Sequence, residues 1–217
     1  MLRVILSFTV SLLVLWSASP AVAGLQSTFR GMTPYLEHRQ AGVVIQTDWT
    51  TCGPAAVATL LSSFFGMPAA EAEVVLLARP HMPADRDPDV TGYTLGSLRA
   101  AAQALGFTSE GYRMELAALV EYQSQTGLPV LVHLEFPQRH FAVLVGSREG
   151  RFVVADPSWG VMVEPEEAFV ASWSGHVLVT LPPVEGVASV RQRTAEILWT
   201  YLEDRPRQLL LATTVRL

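Results

Sequence analysis

The sequence predicts an α+β fold, with helices first and an antiparallel sheet after them. Residues 52–125 hold apolar stretches of helical length and spacing, each bounded by Gly or Pro. From Leu128 onward the pattern changes to short β-rich runs joined by tight-turn sequences. Helices followed by strands, rather than alternating with them, is the α+β order. The 217 residues, half of them hydrophobic, suffice for one well-buried domain with a small appendage.

The first residues read as an export signal. Arg3 is the charged start, Val4 to Trp16 the apolar core, and Ala21-Val22-Ala23 a small-residue cleavage site that leaves Gly24 as the mature start. The apolar run is shorter than the roughly 20 residues of a membrane span; an uncleaved anchor is the alternative. No cysteine adjoins the cut, which argues against a lipid anchor. The mature chain is therefore expected outside the cytoplasm.

Residues 24–41 read as an irregular arm, and Gly42 to Gln46 as a short strand. Asp48-Trp49-Thr50-Thr51 forms the loop into a helix that carries Cys52, the one cysteine, and continues as an apolar run from Ala55 to Phe65. Pro54 suits a first turn, where its missing N–H costs nothing, and Gly66 suits the stop. Pro68 opens a second helix, Ala69 to Ala78. Glu71 and Glu73 near its start and Arg79 at its end complement the helix dipole. Arg79 to Tyr93, with Pro80, Pro83, Pro88 and Gly92, is a loop long enough to serve as a rim or lid.

Thr94 caps a third helix, Leu95 to Leu105, with Leu95, Leu98, Ala102 and Leu105 on one stripe. Phe107 to Arg113 is extended, and Glu115 to Gln125 is a fourth helix ended by Gly127. Strands are expected over Pro129 to Glu135, His140 to Gly146, Arg151 to Ala155, Val161 to Val163 and His176 to Leu181. Phe136 to Arg139 is a loop, Ser147 to Gly150 a hairpin turn, Asp156 to Gly160 a second turn, and Pro165 to Ala171 a helical turn. After Pro182-Pro183, a helix is expected over Ala188 to Leu202, with no role assigned.

A thiol at a helix start sits where partial positive charge and free N–H groups favour the thiolate, which is the nucleophilic form. A lone cysteine can make no internal disulfide, and in an oxidising compartment it is either buried and inert or kept for its chemistry. A nucleophile needs a base, and the base an orienting group. Of five histidines (38, 81, 133, 140 and 176), His140 opens a strand after a loop. With a turn centred on Arg148 and Glu149, His140 lies opposite Pro157 and one place from Asp156; a longer turn or a bulge shifts that. Cross-strand neighbours stand about 5 Å apart and diagonal ones about 7–8 Å, so Asp156 is within reach of the ring. Gln46, six residues before Cys52, can offer its amide to an oxyanion. Trp49 and Trp159 flank the two halves of this constellation and are candidates for lining a substrate cleft.

These residues resemble the C39 peptidases, papain-like cysteine peptidases known as N-terminal domains of bacteriocin-exporting ABC transporters, where they remove leader peptides after a double glycine. The resemblance rests on Gln46-x5-Cys52-Gly-Pro-Ala-Ala, on Gly92-Tyr-Thr through Leu105-Gly-Phe, on His140-Phe-Ala-Val-Leu-x-Gly and on Val154-Ala-Asp156-Pro. It covers about residues 40–182. It implies Cys52 as nucleophile, His140 as base, Asp156 as orienting group and Gln46 as oxyanion donor. It also implies a peptide or protein substrate, an association with a secretion system, and no metal or other cofactor. The domain plan becomes a signal peptide at 1–23, an arm at 24–41, a peptidase-like domain at 42–182 and a C-terminal extension at 183–217.

The pattern departs from the family in two places. Thr51 precedes the cysteine where the family often has Asp, with Asp48 nearby. The chain also carries no GxxxxGK[ST] phosphate loop, so ATP is not expected as a partner. The net charge is -5 and the basic residues, all arginine, form no cluster, which excludes a nucleic-acid reading. This reads as a standalone, exported version, periplasmic or released. Three other readings stay open: a silent peptidase-like module that holds peptides, a papain-like acyl transferase, and a structural exported protein with a buried thiol.

Overall fold

The computed structural model of the chain describes residues 39–135 and 137–204. The expected signal peptide and nearly all of the expected arm, with His38, lie outside the described residues, as does Phe136. Among the described residues, no helix is long and apolar enough to cross a membrane.

The helical part comes first. Helix α1 spans Cys52–Thr59 and continues as a wider π-turn over Leu60–Phe64, where the Phe65 N–H reaches back to Leu60 O at 3.1 Å. All eight residues of α1 are buried, so it shows no polar face, as expected of a helix enclosed on every side. Gly66, at φ +73°, ends it in the left-handed region a glycine adopts freely. Helix α2 is Glu71–Ala78. The expected loop after it contains a 3₁₀ turn at Arg79–His81 and a one-turn helix α3 at Pro88–Thr91, capped by Asp87. Helix α4, Leu95–Ala104, starts with a reciprocal cap in which Thr94 and Ser97 each serve the other's N–H.

Among the described residues the sheet has six strands: β1 Thr108–Arg113, β2 Val130–Leu134, β3 His140–Arg148, β4 Arg151–Asp156, β5 Gly160–Pro165 and β6 Trp173–Leu181. Their spatial order is β1-β6-β2-β3-β4-β5, with every pairing antiparallel. Helix α5, Leu116–Thr126, precedes β2, and α6, Glu166–Ser172, joins β5 to β6. One face of the sheet buries Val143, Val145, Val153 and Ala155 with α1, α2 and α4. The other buries Leu144, Phe152 and Val154 with Leu119 of α5 and Phe169 of α6. Alternation along β3 and β4 supplies both cores from the same strands.

Three local expectations are corrected. Gly42–Gln46 is not a strand; its N–H groups go to scattered partners, with Val44 bonded to Thr59 Oγ1 at 2.9 Å and Gln46 to Pro157 O at 3.0 Å. The β3–β4 turn centres on Glu149 and Gly150, one place later than expected, because both take positive φ (53° and 69°) as a two-residue hairpin turn requires. A bulge between Leu144 and Gly146 then shifts the register once more.

The C-terminal segment packs on the same layer as α1. Helix α7, Val187–Trp199, and the π-turn at Thr200–Asp204 bury Val190 and Leu202 in the core around Phe64 and Val145. Arg193 Nε donates to Phe64 O at 2.8 Å, and Arg151 donates to Leu202 O at 3.2 Å.

Candidate active site

Cys52 is the first residue of α1, and two sequence features put it there. The loop before it closes on Asp48, whose carbonyl accepts the Thr51 N–H at 3.2 Å and the Thr51 hydroxyl at 2.8 Å. Asp48 Oδ1 accepts from the N–H and hydroxyl of Thr50, both at 3.2 Å. Gly53 then lets the helix start press against its neighbours. A Cβ on Gly53 would stand 2.8 Å from Leu98 Cδ1 and 3.2 Å from Phe141 Cδ2. Phe141 follows His140, so the missing side chain brings the cysteine up to the histidine's strand.

His140 opens β3, and Asp156 closes β4. The register places Leu144 opposite Val154 and Val143 opposite Ala155, which carries Asp156 to a position two residues from His140 rather than one. Two residues along a strand return to the same face, so the side chains meet as diagonal neighbours. Nε2 of His140 lies 3.1 Å from Asp156 Oδ2, with both side chains largely shielded from solvent. The approach is poorly aligned for a hydrogen bond, and among the described residues the buried Nε2 has no hydrogen-bond partner.

The Cys52 sulfur lies close enough to the imidazole to influence its ionisation. Burial is the largest single influence on its ionisation and works against the charged form. The interactions with Asp156 and then Cys52, with their charges, together outweigh it and push the His140 pKa up from 6.5 to about 10. Imidazolium is thus the favoured form at neutral pH.

The Asp156–Gly160 turn holds the carboxylate from its other side. Asp156 Oδ1 accepts the N–H of Ser158 at 2.6 Å and that of Trp159 at 3.2 Å. Gln46 sits against the same turn. Its N–H donates to Pro157 O, its Oε1 accepts from Ser158 Oγ at 2.8 Å, and its Nε2 donates to Asp48 O at 2.8 Å. The cleft beside Cys52 and His140 has a volume of about 570 Å³. Arg86, Val90 and Tyr93 line one wall, His133, Arg139 and His176 the other.

Trp49 lines this cleft and is 73% exposed, whereas Trp159, 63% exposed, is not among the lining residues. The Trp159 N–H donates to Asp156 Oδ1. Of the other described histidines, His133 and His176 share the Ser174 hydroxyl, at 3.0 and 3.2 Å, on the cleft wall. Burial lowers the His133 pKa. Among the described residues, no group of three or more His, Cys, Asp or Glu is placed to hold a metal ion.

The sequence reading missed three contributors. Glu71, taken as a helix-dipole residue, is buried and accepts the Thr47 N–H on Oε1 at 3.0 Å and Oε2 at 3.2 Å. Its partner lies 24 residues away, beyond any local pattern. Ser158 was readable only as part of a turn. Gly53 carried a signal in the Cys-Gly-Pro run, but what a side chain there would meet comes from other elements.

The profile of the peptidase C39 family matches residues 40–185 of this chain, a span that holds Cys52, His140, Asp156 and Gln46. The chain is 28% identical over 166 residues to the probable functional amyloid protease FapD of Pseudomonas aeruginosa, covering 75% of this chain and 70% of that protein. The peptidase domain of Streptococcus ComA, a bi-functional ABC transporter involved in a quorum sensing pathway, has the same fold. Its TM-score is 0.55 and its identity 24%, over 65% of this chain and 98% of that one. A double glycine motif protease from an AMS/PCAT transporter, solved in complex with the leader peptide, matches at a TM-score of 0.52 and 26% identity, over 65% of this chain and 91% of that one. The leading helix with its cysteine, laid on an antiparallel sheet, is the papain-like arrangement of these domains, and the chain belongs to the peptidase C39 family of cysteine peptidases.

Proposed function

We propose that this chain is an exported peptidase that hydrolyses peptide bonds through Cys52, His140, Asp156 and Gln46. One observation carries the reading. Helix α1 and the β3–β4 hairpin, distant from it in sequence, bring a helix-terminal thiol, an imidazole and a carboxylate together, with the imidazole pKa raised to about 10. Nε2 faces Asp156, which leaves Nδ1 to exchange a proton with the sulfur.

In the proposed reaction the Cys52 thiolate attacks the amide carbonyl carbon, forming a C–S bond and an oxyanion. The second Nε2–H of Gln46 and a backbone N–H near Cys52 stabilise that oxyanion. One such donor is typically worth about 3–4 kcal/mol. His140 gives its proton to the leaving amine as the C–N bond breaks, and a thioester remains. His140 then takes a proton from water, hydroxide adds to the thioester, and the thiolate leaves.

The open cleft suits an extended peptide running between the α3–α4 wall and the strands β2, β3 and β6. FapD is named as a probable functional amyloid protease, and the double glycine motif protease of the transporter was solved with a leader peptide. The second supports a peptide substrate that is itself handled by an export system. The Arg3 to Ala23 segment supports action outside the cytoplasm.

The test is to incubate the mature protein, beside Cys52→Ala and His140→Ala variants, with peptides spanning candidate exported substrates, and to identify the products by mass spectrometry. New free termini made by the wild type alone are expected. Acyl groups moved to a second amine would make the protein a transferase. Binding without any product would make it a peptide-holding module.

A further inference from the structure

We infer that Ser158 is a positioning residue for Gln46, so that one turn orients both the histidine and the oxyanion donor. This rests on the peptidase reading and adds a residue to it. The Gln46 amide is anchored at both ends. Nε2 donates to Asp48 O at 2.8 Å, and because a carbonyl can only accept, this fixes which end of the amide is nitrogen. Oε1 therefore accepts, and its partner at 2.8 Å is the Ser158 hydroxyl, 112 residues away in sequence.

A primary amide nitrogen carries two donors. Asp48 takes one, and the second is the one available to an oxyanion. The terminal torsion of glutamine is broad and weakly restrained by its own chemistry. With only the Nε2 anchor left, the amide plane is free to turn and the second N–H loses its fixed aim.

The turn that supplies Ser158 also holds the other half of the site. The Ser158 N–H donates to Asp156 Oδ1 at 2.6 Å, and Pro157 O accepts the Gln46 N–H at 3.0 Å. Ser158 thus touches Asp156 with its backbone and Gln46 with its side chain. Substitution of the side chain separates the two roles, because the N–H to Asp156 survives.

The experiment compares two reagents on the mature protein. Acylation of Cys52 by 4-nitrophenyl acetate passes through an oxyanion; alkylation by iodoacetamide does not. The variants are Ser158→Ala, Ser158→Thr, Gln46→Ala and the Gln46→Ala/Ser158→Ala double. Loss of a whole oxyanion donor costs about a hundredfold to a thousandfold. Ser158→Ala is expected to slow acylation about tenfold, a part of that loss. Ser158→Thr, which keeps the hydroxyl, is expected to retain the wild-type rate. Alkylation and its pH dependence should be unchanged in all, and Ser158→Ala should have no further effect once Gln46 is gone.

Wild-type acylation in Ser158→Ala beside slow acylation in Gln46→Ala overturns the inference alone. So does an equal slowing of both reagents, or effects that multiply in the double variant. Unchanged acylation in Gln46→Ala, or no acylation of wild-type Cys52, overturns the oxyanion reading and this inference with it.

Discussion

Glu71 of α2 holds the backbone of Thr47, the residue after Gln46, on both of its carboxylate oxygens. Gln46 is thus braced from two sides, by the Asp156 turn on one and by α2 on the other. A hydrogen bond to a charged group is worth roughly 1.5–3 kcal/mol. Glu71→Ala should therefore destabilise the fold by about 2 kcal/mol and slow acylation of Cys52. Glu71→Gln keeps an acceptor and should recover most of both. Denaturant midpoints beside acylation rates for the two variants test this; equal effects from both would refute it.

The raised pKa of His140 gives pH dependences of definite sign. The folded pKa is about 10 against 6.5 for the unperturbed group. The stability that His140 contributes is present in full below about pH 6.5 and is lost as pH rises through about 10. The imidazolium is also the acid that protonates the leaving amine. Peptidase activity should therefore show an alkaline limb near pH 10, and Asp156→Asn should move that limb down toward 6.5 by removing the main opposing charge. A pH–rate profile of both proteins, with an NMR titration of His140, measures the displacement. A limb that stays in place in Asp156→Asn would show that Asp156 does not set the ionisation.

Gly53 makes the close start of α1 possible. Leu98 is fully buried and the Phe141 ring nearly so, which leaves little room for either to move aside. Overpacking a well-filled core costs about 1–3 kcal/mol. Gly53→Ala is expected to lower stability within that range and to slow both acylation and alkylation of Cys52, because it pushes the helix start away from His140. Unchanged alkylation kinetics in a destabilised variant would mean that the helix moves without disturbing the pair.

The expected α+β order and most element boundaries were legible because their signals are local. Thr94 caps α4, Gly127 ends α5 in the left-handed conformation, and continuous apolar runs mark β3 and β4. What the sequence hid depends on partners far along the chain. The Gly42–Gln46 run has strand composition but, among the described residues, no strand to pair with, and its N–H groups go to scattered partners. The start of β6 at Trp173, earlier than its apolar run suggests, is set by pairing with Leu134. Cys52, His140 and Asp156 could be chosen on chemistry and spacing. The meeting of His140 and Asp156 as same-face diagonal neighbours depends on the turn at Glu149-Gly150 and the bulge near Val145, and only Gly150 announces either in the sequence.

An exposed ion pair ties the wall of the cleft opposite the sheet to the end of α2. Arg79 donates through both terminal nitrogens to the two oxygens of Asp89 in α3, and the Asp89 pKa falls on that account. Both groups face solvent, so the pair does little for global stability. It does tie the segment bearing Val90 and Tyr93 back to the end of α2. Arg79→Ala should leave the unfolding midpoint nearly unchanged and raise KM for a peptide substrate with little change in kcat. A loss confined to kcat would show that this wall acts on the chemistry rather than on binding.

Helix α7 supports the far end of the nucleophile's helix. Arg193 caps Phe64 O at the end of the π-turn, and fully buried Val190 fills the core beside it. Cys52 lies at the opposite end, about 18 Å away along a helix rising 1.5 Å per residue. Val190→Ala removes two buried carbons, at roughly 0.8 kcal/mol each plus the cavity left behind, and is expected to cost about 2 kcal/mol. Arg193→Ala leaves a carbonyl without its donor and should cost about 1 kcal/mol. Neither should alter the acylation rate of Cys52 or its pH dependence. Denaturant unfolding beside acylation kinetics decides the point. A stability loss with intact chemistry would make residues 187–204 an integral brace of the peptidase domain, whereas unchanged stability would return them to the status of an appendage.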